Sequence, residues 1–180
     1  MRPTDPADKI EVIFHPSDFS EASDVAFAHA LKIALVSGST LNVLHISEKD
    51  NADWSDFPGV RSTLERWRLI PKGSPKSALG QLGIDVVKVI ASSKNPVKAS
   101  LGFLKNHPAD LVVLAVRQHE GRMRWQKRVG EPIARGADEM ALYIPTGWKG
   151  SCRARTVPSR WGTYSSRSLV NLRPSRPWTL

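Results

Sequence analysis

The chain has 180 residues, which favours one domain with a complete hydrophobic core over two. Hydrophobic residues make up 41% and charged residues 24%, as is typical of globular proteins that work in water. No apolar run reaches the roughly 18 residues of a membrane-spanning helix, and residues 1–9 lack the apolar stretch of a secretory signal. The composition therefore predicts a cytoplasmic protein with no membrane partner.

The net charge of +9 is distributed unevenly. Residues 1–150 hold 20 Lys and Arg against 17 Asp and Glu, whereas residues 151–180 hold six Arg and no acidic residue. Residues 1–150 thus have a net charge of +3, which is ordinary for a folded domain. Nucleic-acid binding is therefore a hypothesis for the C-terminal segment alone. Cys152 is the only cysteine, which excludes an internal disulfide and a cysteine-built metal site.

The first half of the chain alternates between strand and helix patterns. Residues 9–16 are a β-branched and aromatic run, which predicts a strand. A helix follows, with Ser20 as its N-cap and Gly38 as its stop. Residues 40–46 predict a second strand. Pro58 suits the first position of a second helix, whose buried face carries Val60, Leu64 and Trp67.

The second half continues this alternation. Residues 71–83 are rich in Gly, Pro, Ser and Lys and predict a loop, in which 77–82 can add a helical turn. Residues 84–91 predict a third strand, and Asn95 caps a third helix. Residues 111–116 (LVVLAV) are six consecutive apolar residues, as expected for a parallel strand covered on both faces.

A fourth helix and a fifth strand complete the pattern. Pro132 is unfavourable inside a helix, so this helix is expected to begin near Glu131. The fifth strand is predicted over residues 141–145. Five strands alternating with four helices predict an α/β fold with a doubly wound, open, parallel five-stranded sheet. Ligands of such sheets bind beyond the carboxyl ends of the strands where the strand order reverses, here between the first and fourth strands.

Three stretches resemble the universal stress protein family. VIFHPSDFSEASDVAFAHA resembles the family's opening strand, Pro-x-Asp-x-Ser motif and helix, with Pro16, Asp18 and Ser20 at the motif positions. VLHI at 43–46 resembles its second strand, and LVVLAV, EPIAR and ALYIP resemble its closing strand, helix and strand. The resemblance covers residues 11–145. It implies an adenine nucleotide alpha hydrolase-like fold and a stress-response binding or interaction module.

The sequence departs from the nucleotide-binding members of that family. Their motif resembles Gly-x-x-Gly, nine residues, then Gly-Ser or Gly-Thr. Here Ala115 and Gln118 stand at the first two glycine positions, and Lys127 and Arg128 fall at the Gly-Ser pair if one residue of the nine-residue spacer is missing. A Cβ at such positions costs about 1 kcal/mol or more in a left-handed turn and keeps phosphates from the backbone amides. The departure predicts a protein without the usual ATP site and with no certain cofactor.

An alternative stays open, in which the chain binds ATP or another adenine nucleotide. The basic loop 117–128 carries five Lys and Arg side chains that can hold an anion, although a solvated, mobile loop explains them as well. Asp18 resembles the family position that contacts the nucleoside, and it can equally orient the turn. The candidate residues of this nucleotide crevice are Pro16, Asp18, Val43, Ala115, Gln118 and Arg128.

No set of catalytic residues emerges. The chain has no Gly-x-Ser-x-Gly elbow and no Walker motif. His15 and His45 have no carboxylate or cysteine at metal-ligand spacing, and we expect them to be packed and hydrogen-bonded. The sequence predicts neither an enzyme nor a metal protein.

The domain is predicted to span residues 1–147, followed by a disordered tail at 148–180. The tail is rich in Arg, Ser and Pro and cannot bury enough apolar surface to fold alone. It is either a genuine basic arm or the product of a shifted reading frame that replaces a second, similar domain. An apolar fifth strand at a sheet edge predicts a homodimer or a tandem pair.

Overall fold

A single five-stranded sheet organises the fold. The computed structural model describes residues 9–48, 53–75, 77–116 and 129–145. The strands are β1 (Val12–Ser17), β2 (Thr40–Ser47), β3 (Asp85–Ser92), β4 (Leu111–Val116) and β5 (Met140–Pro145). Their order is β3-β2-β1-β4-β5, and every neighbouring pair is parallel. The predicted doubly wound sheet is confirmed, with β1 beside β4 at the point where strand order reverses.

The helices of the described residues cover both faces of this sheet. They are α1 (Glu21–Ser37), α2 (Val60–Arg66), α3 (Ala78–Gln81), α4 (Pro96–Asn106) and α5 (Glu131–Ala137), with a 3-10 turn at Trp54–Asp56. This is one helix more than the four predicted, because the turn expected within 77–82 forms α3.

The predicted helix ends depend on local hydrogen bonds and backbone angles. Ser20 caps α1 by accepting from Ser23 N at 3.3 Å, and Gly38 ends that helix with a φ of 66°. Asn95 caps α4 through Lys98 N at 3.0 Å. The prediction for Pro58 was wrong: α2 begins two residues later, because Gly59 has the extended conformation of an N-cap.

Alternate residues of the strands pack into two separate hydrophobic cores, one on each face of the sheet. On one face Ile13, Leu41 and Val113 pack with α1, α2 and α3. On the other face Phe14, Leu44 and Leu114 pack with α4 and α5. All six residues of β4 are buried, as expected for a central parallel strand covered on both sides. The carboxyl ends of all five strands therefore meet at one edge, where the connecting loops form a site.

Candidate functional site

A crevice opens at the carboxyl ends of β1 and β2, on the side of the sheet covered by α4. Its cavity has a volume of about 160 Å³ and is lined by Pro16, Ser17, Asp18, Leu44, Ile46, Pro96, Ser100 and Val129. Three elements converge here because parallel strands place their carboxyl ends together and α4 begins immediately after β3. We call this cavity the crevice.

Asp18 fixes the turn between β1 and α1. Its Oδ1 accepts hydrogen bonds from Ser20 N at 3.1 Å and from Ser20 Oγ at 2.5 Å. Ser20 Oγ in turn accepts from Ser23 N, so the carboxylate, the cap and the helix form one chain of hydrogen bonds. The turn role expected for Asp18 is present in the structure, and it holds this carboxylate at the crevice wall.

His15 lies fully buried behind that turn. Its Nδ1 is 2.9 Å from Val113 O, and its Nε2 is 3.3 Å from Ser23 Oγ. Ser23 Oγ donates to Ser17 Oγ at 3.0 Å, which links the imidazole to the crevice. Burial lowers the pKa of His15, and the hydrogen bond to Val113 O opposes this shift. His15 is packed and hydrogen-bonded, as its pattern in the sequence predicted.

Comparison with known families decides the assignment. The sequence model described as "Universal stress protein family" matches residues 10–142, well over half of the chain. The chain belongs to the universal stress protein family. A search of the curated proteins finds no match to this universal stress protein.

Solved structures support the same fold. A universal stress protein from Archaeoglobus fulgidus DSM 4304 is similar with a TM-score of 0.53 and 20% identity, over 75% of this chain and 44% of that one. A universal stress protein in complex with cAMP has a TM-score of 0.52 and 16% identity, over 77% of this chain and 99% of that one. At these identities the likeness shows the fold alone.

The crevice of this universal stress protein contains only part of the predicted residue set. Pro16 and Asp18 line it, whereas Val43 and Ala115 are buried in the core on the α1 side of the sheet. The period of two along a strand explains the difference, because residues one position apart face opposite sides. Gln118 and Arg128 lie outside the described residues.

Six lining residues were missed by the sequence analysis, namely Ser17, Leu44, Ile46, Pro96, Ser100 and Val129. Leu44 and Ile46 lie on the face opposite Val43, and the alternation of β2 was the signal that pointed to them. Ser100 and Val129 come from α4 and from the residue pair before α5. No motif marks those two positions, since only the packing of the helices brings them to the sheet edge.

An aromatic cluster forms the neighbouring part of the same edge. The Phe19 ring stacks on His45 with centroids 3.7 Å apart, and Phe57 meets Phe19 edge-on at 5.0 Å. Phe19 has a φ of 57°, a left-handed conformation that is uncommon for a residue with a side chain. His45 Nδ1 lies 2.9 Å from Ser17 O. His45 is therefore held by stacking and hydrogen bonding, which confirms the packed role predicted for it.

Outside the crevice, the described chain has a larger cavity. A cavity of about 470 Å³ lies between α2 and β3, and Arg61 and Lys88 in its wall donate to the backbone carbonyls of Ser74 and Pro58. Within the described ranges, no group of three or more His, Cys, Asp or Glu could hold a metal ion. None of the helices described is long and apolar enough to cross a membrane.

Proposed function

We propose that this universal stress protein is a stress-response binding module whose crevice does not accept the phosphates of ATP. The charge of the crevice wall carries this proposal. Among its described lining residues, Asp18 supplies a carboxylate, Ser17 and Ser100 supply hydroxyls, and no Lys or Arg is present. Because like charges repel most strongly where water is partly excluded, such a wall disfavours a phosphate group.

The residues around the crevice also disfavour a phosphate group. Glu21 and Asp24 lie in the first turn of α1, directly after the Asp18 turn, and add negative charge at this edge. The segment after β4 lacks the motif glycines that would bring backbone amides to a phosphate. Because both features disfavour phosphate binding, the function that fits the crevice is recognition of a small ligand by side chains.

Binding of an adenine nucleotide through Asp18 is the alternative. It is supported by the solved relative in complex with cAMP and by the five cations of loop 117–128, which lies outside the described residues. The two candidates differ in one measurable respect. In the alternative the phosphates contribute to binding, and in our proposal they do not.

Titration of ATP into the full-length protein tests the proposal. We expect no saturable binding below millimolar ATP, measured by isothermal titration calorimetry. Micromolar binding that is lost in Asp18→Ala and kept in Asp53→Ala would refute it. Asp53 is a suitable control because its carboxylate is exposed in a separate turn, where it accepts from Ser55 N.

The buried serine–histidine pair supports a role without catalysis. Ser23 Oγ and His15 Nε2 are 3.3 Å apart, a spacing that resembles a nucleophile and its base. Ser23 is 1% exposed and His15 0%, so no substrate reaches the hydroxyl. His15 Nδ1 bonds a backbone carbonyl where a catalytic pair would have a carboxylate. The contact between Ser23 and His15 thus connects α1 to β1.

A homodimer formed through β5 is part of the same proposal, with a tandem pair as the alternative arrangement. β5 is an edge strand, and its Met140 and Leu142 side chains are 65% and 36% exposed. An apolar edge strand favours pairing with a second copy, because its unpaired backbone groups and apolar side chains are then covered together.

A further inference from the structure

The cavity of about 470 Å³ lies on the opposite face of the sheet from the crevice. Its walls are the start of α2, Leu79 of α3, and Val86 and Lys88 of β3, and we call it the β3 cavity. Val86 and Lys88 pair with Leu41 and Val43, which are buried in the core against α1. Because paired residues point to the same face, the β3 cavity opens on the α1 side and the crevice on the α4 side. The two share no lining residue.

The shortness of the covering helices explains why this space is open. The long helix α1 packs mainly against β1, β2, β4 and β5. The same face of the edge strand β3 is therefore left to α2 and α3, which have seven and four residues. At the usual rise per residue, α2 extends about 10 Å and β3 about 26 Å. The two short helices cannot cover the whole strand, and the β3 cavity remains beside them.

Two cations stand in the wall of the β3 cavity. Arg61 Nη1 donates to Ser74 O at 3.2 Å. Lys88 Nζ donates to Pro58 O at 3.1 Å and lies 5.4 Å from the centre of the Phe57 ring. Carbonyls and phenyl rings have no net charge, so these contacts position the cations without neutralising them. None of the described residues that line the cavity is Asp or Glu, and its wall therefore favours an anion.

The rest of the wall requires that this anion also has an apolar part. Val60, Leu79 and Val86 provide apolar surface beside the two cations. A small inorganic ion would leave this surface in contact with water, whereas an apolar group would cover it. The volume lies within the range of roughly 300–1,000 Å³ that is typical of small-molecule sites. The planar guanidinium of Arg61 matches the geometry of a carboxylate.

We propose that the β3 cavity binds a small carboxylic acid with an apolar body. The carboxylate contacts Arg61 and Lys88, and the body packs against Val60, Leu79 and Val86. This ligand site is separate from the crevice, and the inference holds whether or not a nucleotide binds there. The universal stress protein would thus have one site on each face of its sheet.

Protein-observed NMR of the full-length protein tests this inference with three probes: phenylpropionate, its neutral amide phenylpropionamide, and inorganic phosphate. We expect saturable shifts of the Val60, Leu79 and Val86 amides with phenylpropionate. The amide should bind about tenfold more weakly, because it lacks the charge that strengthens the hydrogen bonds. Phosphate should produce no saturable shifts at the same concentrations. Equal affinity for acid and amide, equally tight binding of phosphate, or no saturable shifts with phenylpropionate would overturn the proposal.

Charge-removing variants locate the site. Lys88→Met should weaken phenylpropionate binding about tenfold, the effect of one charged hydrogen bond. Arg61→Gln should weaken it about threefold, because Arg61 is exposed and its ion pair is screened by water. Arg61→Gln is a surface change, so it tests the site even where Lys88→Met fails to fold.

The matched controls are Lys98→Met and Arg135→Gln, which remove the same charges from exposed positions on α4 and α5. These helices cover the other face of the sheet, so both controls should bind phenylpropionate like the parent. Losses of affinity as large as those of Lys88→Met and Arg61→Gln would assign the effect to the charge of the whole molecule. That result, or unchanged affinity in Arg61→Gln, would overturn the contact with the carboxylate.

Discussion

Among the described residues with a resolved pKa shift, His15 is the most completely buried. Complete burial lowers the pKa of its imidazole from the ordinary value of 6.5, while the contact with Val113 O and the charge of Asp18 act in the opposite direction. The folded protein therefore retains neutral His15 at a pH where the unfolded chain is already protonated. The unfolded state then binds more protons, so acidification favours unfolding.

We predict that the free energy of unfolding decreases as the pH falls from about 6.5 towards the lower pKa of folded His15. Above this pH range, neutral His15 makes its full contribution to the free energy of unfolding. Urea denaturation of the parent and of His15→Asn, repeated across this range, measures the effect. The variant keeps a donor for Val113 O but has no imidazole, so its stability should depend less on pH. Equal pH dependence in both proteins would contradict the role of His15.

Among the elements, two helix N-caps and the interior strand β4 were predicted best from sequence. Ser20 and Asn95 are N-caps in the structure because short polar side chains accept from the first helical amides wherever they occur. Residues 111–116 form β4 as predicted, since a continuous apolar run suits only a strand covered on both faces. Both signals depend on residues that are close together in the chain, so the sequence alone is enough to predict these elements.

The cap of α4 gives a direct prediction for stability. Asn95→Ala removes the acceptor for Lys98 N and should lower the free energy of unfolding by about 1 kcal/mol, the usual contribution of an N-cap. Asn106→Ala, an exposed change at the other end of α4, should have a much smaller effect. Chemical denaturation measures both variants. Equal losses would show that Asn95 acts through something other than the cap.

The crevice was predicted only in its β1 wall, because the remaining walls depend on tertiary packing. Pro16 and Asp18 follow from the strand–turn–helix pattern. The sequence analysis chose Val43 on β2, but this residue faces the opposite side of the sheet from the crevice. Its side chain is buried in the core that packs against α1. Ser100 is inconspicuous as a sequence position, and only the folded chain shows that its hydroxyl is buried and unpaired.

The two edges of the sheet differ in what they expose. At the β3 edge Lys88 donates to Pro58 O and Val87 is 40% exposed. At the β5 edge Met140 and Leu142 lie exposed on alternate positions of the strand, as a row of apolar side chains on one face. The β5 edge is therefore where we propose self-association.

We predict that the full-length protein is a dimer and that Leu142→Lys shifts it towards the monomer, because a charge would be buried in the interface. Val36→Lys is the matched control, since Val36 is 75% exposed and lies in the last turn of α1, outside β5. Sedimentation velocity of the three proteins measures the association. A monomeric parent, or a dimer unaffected by Leu142→Lys, would contradict the interface.

A comparison of adenosine, AMP and ATP measures whether the crevice recognises a ligand without its phosphates. Calorimetric titration of each into the full-length protein gives the contribution of every added phosphate. A carboxylate in the wall and the absence of cations among the described lining residues predict that affinity falls from adenosine to AMP and ATP. Affinity that rises with each phosphate would contradict the proposed function and establish the protein as a nucleotide binder.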